Sequence, residues 1–152
     1  MDINRRQALG FAAGAAAFAA AGFPAVPALA SVEETEKRIA EFAGSATPQT
    51  GGKLTLVAPE IAENGNTVPI SVEVESAMAG DDLVESVIVF AEGNPRPDVA
   101  TFNFTEASGV AAATTRIRLA QTQNIVALAR MKDGTVYMDR KEVKVTIGGC
   151  GG

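Results

Sequence analysis

From Lys53 onward, apolar and polar residues alternate with a period of two, the spacing of strands with one buried face. "KLTLV" (53–57) alternates, and "TVPISVEVES" (67–76) sets Val68, Ile70, Val72 and Val74 against Ser71, Glu73 and Glu75. "LVESVIVFAEG" (83–93) holds an unbroken apolar run, Val87-Ile88-Val89-Phe90, which reads as a buried strand. "ATFNF" (100–104, with Phe102 and Phe104 inward), "TTRIRLA" (114–120), "NIVALARMK" (124–132) and "TVYMDRKEVKVTI" (135–147) follow. Asp133-Gly134 between the last two is a hairpin signal. The last strand ends with Val143, Val145 and Ile147 on one face, opposite Lys144 and Thr146. Pro69 lacks an N–H, so its part of the strand must face outward or lie at a bulge or edge. "ENGN" (63–66), "EGNPRPD" (92–98), "EASGVAAA" (106–113) and the Asp81-Asp82 pair read as turns or irregular loops.

Ahead of the strands, "SVEETEKRIAEFAG" (31–44) shifts to a period near 3.6. Val32, Glu36, Ile39 and Ala43 share one face, with Phe42 beside them. Ser31 and Glu34 have the spacing of a capping box, and Gly44 ends the segment. About seven strands at roughly 8–12-residue spacing, with no helical pattern between them, predict an immunoglobulin-like antiparallel β-sandwich with a short N-terminal helix. The likeness is one of architecture, since the Cys…Trp…Cys core of antibody domains is absent.

The first thirty residues follow another pattern. Arg5 and Arg6 form a twin-arginine pair, Leu9 to Phe23 carries no charge, and Pro24 and Pro27 precede Ala28-Leu29-Ala30. This Ala- and Gly-rich stretch suits an export signal better than a bilayer span, which needs about 20 strongly apolar residues. Residues 1–30 are therefore expected to be a twin-arginine signal peptide cleaved after Ala30, giving a periplasmic protein exported already folded. Losing Asp2, Arg5 and Arg6 takes the formal net charge from -5 to -6. Residues 31–147 form the expected sandwich domain.

Composition narrows the chemistry. An acidic chain is a poor match for nucleic acid or an anionic membrane surface, both of which reward clustered Lys and Arg. The chain has no histidine, which removes Ser-His-Asp and Cys-His mechanisms and most zinc and haem sites. Its single cysteine cannot make an internal disulfide, a CxxC pair or a thiolate metal cage. No metal or cofactor site is expected.

That cysteine, Cys150, stands in "VTIGGCGG" at the end of the chain. Gly148 and Gly149 precede it and Gly151 and Gly152 follow, so no neighbouring side chain crowds it, and the glycine backbone has wide conformational freedom. Five residues beyond the last strand reach on the order of 17 Å at about 3.3–3.6 Å each, the depth of an enzyme cleft. Residues 148–152 thus read as a flexible swinging arm that presents Cys150 to other proteins. No Lys, Arg or His flanks the thiol in sequence, so it is expected to be accessible more than activated. Prenylation needs three residues after the cysteine, and only two follow.

"IGGCGG", the twin-arginine signal and "APEIAENGNTVPISVEVES" (58–76) together resemble the SoxY family, sulfur-carrier subunits of the periplasmic thiosulfate-oxidising Sox system. The resemblance implies Cys150 as the site of covalent sulfur attachment and Gly148, Gly149, Gly151 and Gly152 as its mount. It implies a non-catalytic carrier holding S-thiosulfonate and persulfide adducts, paired in a heterodimer with a SoxZ-like subunit. It further implies service to haem-containing SoxAX, dimanganese SoxB and a sulfane dehydrogenase. Two other classes stand beside it. One is a thiol-dependent redox enzyme, which would need a resolving cysteine or acid/base partner that the sequence lacks. The other is a ligand-binding or structural sandwich with an incidental thiol.

Replacing Arg5 and Arg6 with Lys should leave precursor in the cytosol, seen as a larger band absent from the periplasmic fraction. Normal export of that variant would remove the twin-arginine reading.

Overall fold

A computed structural model describes residues 32–146. The helix α1 (Val32–Ala43) is followed by nine strands: β1 (Gln49–Thr50), β2 (Leu54–Val57), β3 (Ile61–Ala62), β4 (Val68–Val74), β5 (Val84–Ala91), β6 (Asp98–Asn103), β7 (Ala111–Ile117), β8 (Gln123–Met131) and β9 (Val136–Val145). The larger sheet runs β1-β9-β8-β5-β6, with β3 also on β9, and the smaller runs β2-β4-β7. The expected mainly-β sandwich with one N-terminal helix is what forms. Two details differ from expectation. There are nine strands among the described residues and not seven, and the two added ones, β1 and β3, pair with β9 in parallel.

The smaller sheet follows its alternation closely. Val68, Ile70, Val72 and Val74 are all buried, while Glu73 and Glu75 are exposed. Beside β4, β7 pairs from Ala111 to Ile117, so Ala111–Ala113 belong to a strand and not to the loop expected there. Their small side chains carry too little hydrophobic contrast to show a period of two. Pro69 pairs with Arg116 of β7, but the register with β2 stops at Ser71. At Pro69 the strand therefore has no β2 residue opposite it, in keeping with the edge position that a missing N–H requires.

The larger sheet is covered on both faces, which explains the unbroken apolar runs in β5 and β8. Val87, Val89 and Ala91 of β5, with Ile125, Ala127 and Ala129 of β8, meet Leu54, Leu56 and the β4 valines in the main core. Phe90, Val126, Leu128 and Val136 pack on the opposite side against Ile39, Phe42 and Ala43 of α1. Burying side chains of this size contributes about 1.5–3 kcal/mol each when burial is complete. The helix is thus a lid over apolar sheet surface that would otherwise face water. Arg130 joins this contact, its guanidinium carbon 4.5 Å from the centre of the Phe42 ring.

The helix presents a slightly different face from the one expected. Thr35, Ile39, Phe42 and Ala43 turn inward, while Val32 (52% exposed) and Glu36 remain in water. Gly44, at φ +63°, closes the helix by donating its N–H to the Ala40 carbonyl at 2.9 Å. Ser31, and with it the expected capping box, lies outside the described residues.

Thr35 is fully buried, and its hydroxyl has no hydrogen-bond partner. A buried unsatisfied hydroxyl costs about 1–3 kcal/mol, and valine has nearly the same shape. Thr35→Val should therefore raise the urea midpoint, by about 1 kcal/mol of stability. A fall in the midpoint would mean that the hydroxyl has a partner, such as a bound water.

Candidate functional site

All five expected site residues, Gly148, Gly149, Cys150, Gly151 and Gly152, lie outside the described residues. What the structure describes is the chain up to Thr146, four residues before Cys150. Strand β9 stays paired to its end. On one flank, Ile61 and Ala62 of β3 lie beside Lys144 and Val145. There Lys144 N–H donates to the Glu60 carbonyl at 2.9 Å and Thr146 N–H to the Ala62 carbonyl at 3.0 Å. On the other flank, beyond the last β8 pair at Val143, the Thr122 hydroxyl accepts from Val145 N–H at 2.9 Å. The backbone is held on alternating sides through Thr146.

Three loops gather around this root. They are 63–67 before β4, 92–97 between β5 and β6, and 118–122 between β7 and β8. Gly65 is wedged between the second sheet and the arm's root. A Cβ there would stand 2.4 Å from the Leu119 carbonyl oxygen and 3.0 Å from Cγ1 of Val145. The close approach lets the Gly65 carbonyl accept from Leu119 N–H at 2.7 Å. Glycine is needed here for space, not for an unusual φ.

The same end holds a buried polar network. Gln123 Oε1 accepts from Gly93 N–H at 2.6 Å, and its amide donates to Asn94 Oδ1 and the Gln121 carbonyl, both at 3.0 Å. Asn94 in turn donates to the Arg118 carbonyl at 2.7 Å and accepts from Ala120 N–H at 3.0 Å. These bonds tie the loop 92–97 to the loop 118–122. Glu92 is almost wholly buried (side chain 6% exposed) and accepts from Asn124 at 2.9 Å. Arg140 Nη2 stands 3.1 Å from its other oxygen as an ion pair, without meeting hydrogen-bond geometry. Removing Arg140 would leave a buried carboxylate uncompensated, which is costly.

Charge is distributed unevenly between the two ends. At the arm's end, Arg96, Arg116, Arg118 and Lys144 have no carboxylate within ion-pair distance among the described residues. Arg118 is oriented by Asn66, whose Oδ1 accepts from Nε at 2.9 Å and Nη2 at 2.6 Å, and Arg116 Nη1 reaches the Thr67 hydroxyl at 3.4 Å. The far end carries Glu75, Asp81, Asp82, Glu85, Glu106 and Asp133. Asp82 there accepts from Ala77 N–H at 2.6 Å and pairs with Lys53. Those bonds hold its carboxyl below the usual range, the backbone N–H contributing most, and the bond to Asp82 raises the Lys53 ammonium. Thr135 N–H likewise lowers Asp133. These groups stabilise two turns at the end of the sandwich opposite Val145, separated from it by the length of the ten-residue strand β9.

Among the described residues, no three His, Cys, Asp or Glu side chains gather into a metal-binding group. No described helix is long and apolar enough to cross a membrane. Asp81-Asp82 forms the 3-10 turn Gly80–Asp82, as its sequence suggests.

Comparison with known proteins points in one direction. The family profile described as sulfur oxidation protein SoxY matches residues 39–150. The solved sulfur carrier protein SoxY from Chlorobium limicola f thiosulfatophilum is 32% identical, with a TM-score of 0.64 over 77% of this chain and 100% of that one. A superoxide reductase (neelaredoxin) from Ignicoccus hospitalis shares 16% identity and a TM-score of 0.53 over 78% of this chain and 96% of its own. A superoxide reductase from Nanoarchaeum equitans is 14% identical with a TM-score of 0.53, over 63% and 99% of the two chains. Those two likenesses concern the fold alone. No curated protein sequence matches the chain.

Gly65→Ala should lower stability by about 1–3 kcal/mol through overpacking against the Leu119 carbonyl. It should also speed amide hydrogen exchange at Val145 and Thr146 more than at β5. Uniform exchange across the sheet would show that Gly65 does not secure the arm's root.

Proposed function

The chain belongs to the SoxY family of sulfur carriers, and we propose that it carries sulfur covalently on Cys150 and offers it to the enzymes of thiosulfate oxidation. The observation that carries this reading is the contrast at Thr146. The backbone is hydrogen-bonded on alternating flanks up to that residue, and the only thiol in the chain follows four residues later between two glycine pairs. A rigid root fixes where the arm begins, and glycine removes side-chain bulk from the part that must enter an active site.

The chemistry asks nothing catalytic of the carrier. Oxidative coupling of thiosulfate to the Cys150 thiol forms an S–S bond, giving Cys-S-S-SO3⁻ and releasing one proton and two electrons. A haem protein of the SoxAX kind is the electron acceptor. Hydrolysis then cleaves the bond between the sulfane sulfur and the sulfonate. Water supplies the oxygen, hydrogen sulfate leaves, and a persulfide stays on Cys150. A SoxB-like dimanganese hydrolase performs that step, and a sulfane dehydrogenase oxidises the remaining sulfur. A SoxZ-like subunit completes the carrier as a heterodimer, and the twin-arginine segment places it in the periplasm.

Mass spectrometry of the protein purified from its native host should find Cys150 bearing thiosulfonate or persulfide sulfur, and Cys150→Ser should abolish loading without altering the unfolding midpoint. Gly149→Val and Gly151→Val should leave alkylation of the thiol by iodoacetamide unchanged while slowing enzymatic loading severely. An unmodified thiol throughout would favour a sandwich with an incidental cysteine. A parallel fall in alkylation and loading would mean that the glycines tune the thiol itself.

A further inference from the structure

Building on the carrier reading, we infer that Arg116 and Arg118 form an anion clamp that receives the oxidised, negatively charged sulfur group carried on the chain's own arm. Both arginines project from the outer face of the smaller sheet, two residues apart on and just beyond β7, which places their Cα atoms roughly 7 Å apart. Both are exposed, and neither has a carboxylate partner among the described residues, although the protein as a whole is acidic. Glu63, the acidic residue of the adjoining loop, pairs with neither.

The guanidinium of Arg118 is pre-positioned. Asn66 Oδ1 takes its Nε and one Nη, and Asn66 is itself set by a 2.9 Å bond from its N–H to Asn64 Oδ1. A neutral amide holds the group in place without cancelling its charge, and the Nη1 edge stays available. Thr67 does the same for Arg116 through a neutral hydroxyl. Two oriented guanidiniums without a counter-charge suit a tetrahedral oxyanion, which takes charge-assisted bonds from such forks.

Location selects the ligand. Leu119, next to Arg118, is hydrogen-bonded to Gly65, and Gly65 rests on Val145 at the arm's root. Cys150 follows Val145 by five residues, on the order of 17 Å of extended chain. A terminal sulfonate on Cys150 therefore comes within range of Arg118, while the neutral thiol has nothing to gain there. Docking would shelter the loaded sulfane sulfur from stray nucleophiles and release it on hydrolysis, when the sulfonate charge departs.

The test places artificial adducts on the folded full-length protein. Cys150 is converted to a mixed disulfide with either 2-sulfonatoethyl or methyl methanethiosulfonate, and release of each adduct by dithiothreitol is timed. In the Arg116→Gln, Arg118→Gln double variant, release of the sulfonatoethyl group should quicken about two- to fivefold, the upper part of the range expected for an exposed ion pair. Release of the methyl group should not change, and added salt should reproduce the effect in the unaltered protein. A similar change for both adducts would reduce the arginines to a general field at the thiol and overturn the clamp. Unchanged release of both, with loading by the partner enzyme slowed, would assign the arginines to an acidic protein surface instead and likewise overturn it. Because the adducts are synthetic, these results stand apart from whether Cys150 carries sulfur in the cell.

Discussion

Strand β9 takes partners on both of its edges, and the remainder of the molecule is arranged around that. β8 runs beside it from Val136 to Val143, β1 lies beside Tyr137 and Met138, and β3 lies beside Lys144 and Val145. Asp139, in the middle of β9, accepts the Leu56 N–H at 2.9 Å, which links the larger sheet to β2 of the smaller one. Each face of β9 meets a different part of the core, with Val143 in the sandwich and Val136 beneath the helix. A strand fixed in so many directions cannot slip by one residue without turning its apolar residues to solvent. The position of Val145, at the end of the strand, is fixed with it.

The polar groups at the arm's end serve the same constraint. Loops rich in Asn, Gln and Glu would ordinarily lie in water, and burying them requires that almost every group find a partner. Asn94 and Gln123 satisfy each other and four backbone groups, which converts two loops into a fixed platform beside Thr122 and Val145. Glu92 adds a charge to this platform, compensated by Arg140 and Asn124. Arg140 is occupied in that way, whereas Arg96, Arg116, Arg118 and Lys144 are not. Those four cations lie toward the Val145 end, whereas Glu75, Asp81, Asp82, Glu85, Glu106 and Asp133 lie at the opposite end with Lys53 and Lys132.

Much of the fold was legible because long strands carry their own period. β4 could be read residue by residue, since each of its inward positions is a valine or isoleucine. β5 could be read as buried because its apolar run lacks alternation, although only the structure shows that a helix covers the second face of it and of β8. β1 and β3 were not legible, since two residues cannot display a period. The inward turn of Thr35 was missed because a threonine gives no hydrophobic signal. The site was legible only in its outermost part. Cys150 and its glycines stand out by composition, but Gly65, Asn94 and Gln123 look like ordinary turn residues until their loops meet in space. Arg116 and Arg118 read as the polar side of a strand, and nothing in the sequence sets them near Val145. The loops that bring Arg118 near the arm's root are separated from it by more than twenty residues.

On the carrier reading, a root fixed at Thr146 and the short stretch of chain from there to Cys150 limit what a partner enzyme must do. Four residues from Thr146 to Cys150 span roughly 14 Å when extended. On the carrier reading, an enzyme whose reacting centre lies deeper than that below its surface could not be served, however flexible the glycines. The sandwich itself must therefore come into contact with each enzyme, bringing the platform of loops 63–67, 92–97 and 118–122 against the mouth of the active site. Enzymes that act on anionic sulfur groups need positive charge around that mouth to draw in substrate, and bare arginines on the platform would oppose their approach. Were the adduct seated between Arg116 and Arg118, as proposed above, it would partly neutralise the platform, and the loaded carrier would be less repelled than the empty one.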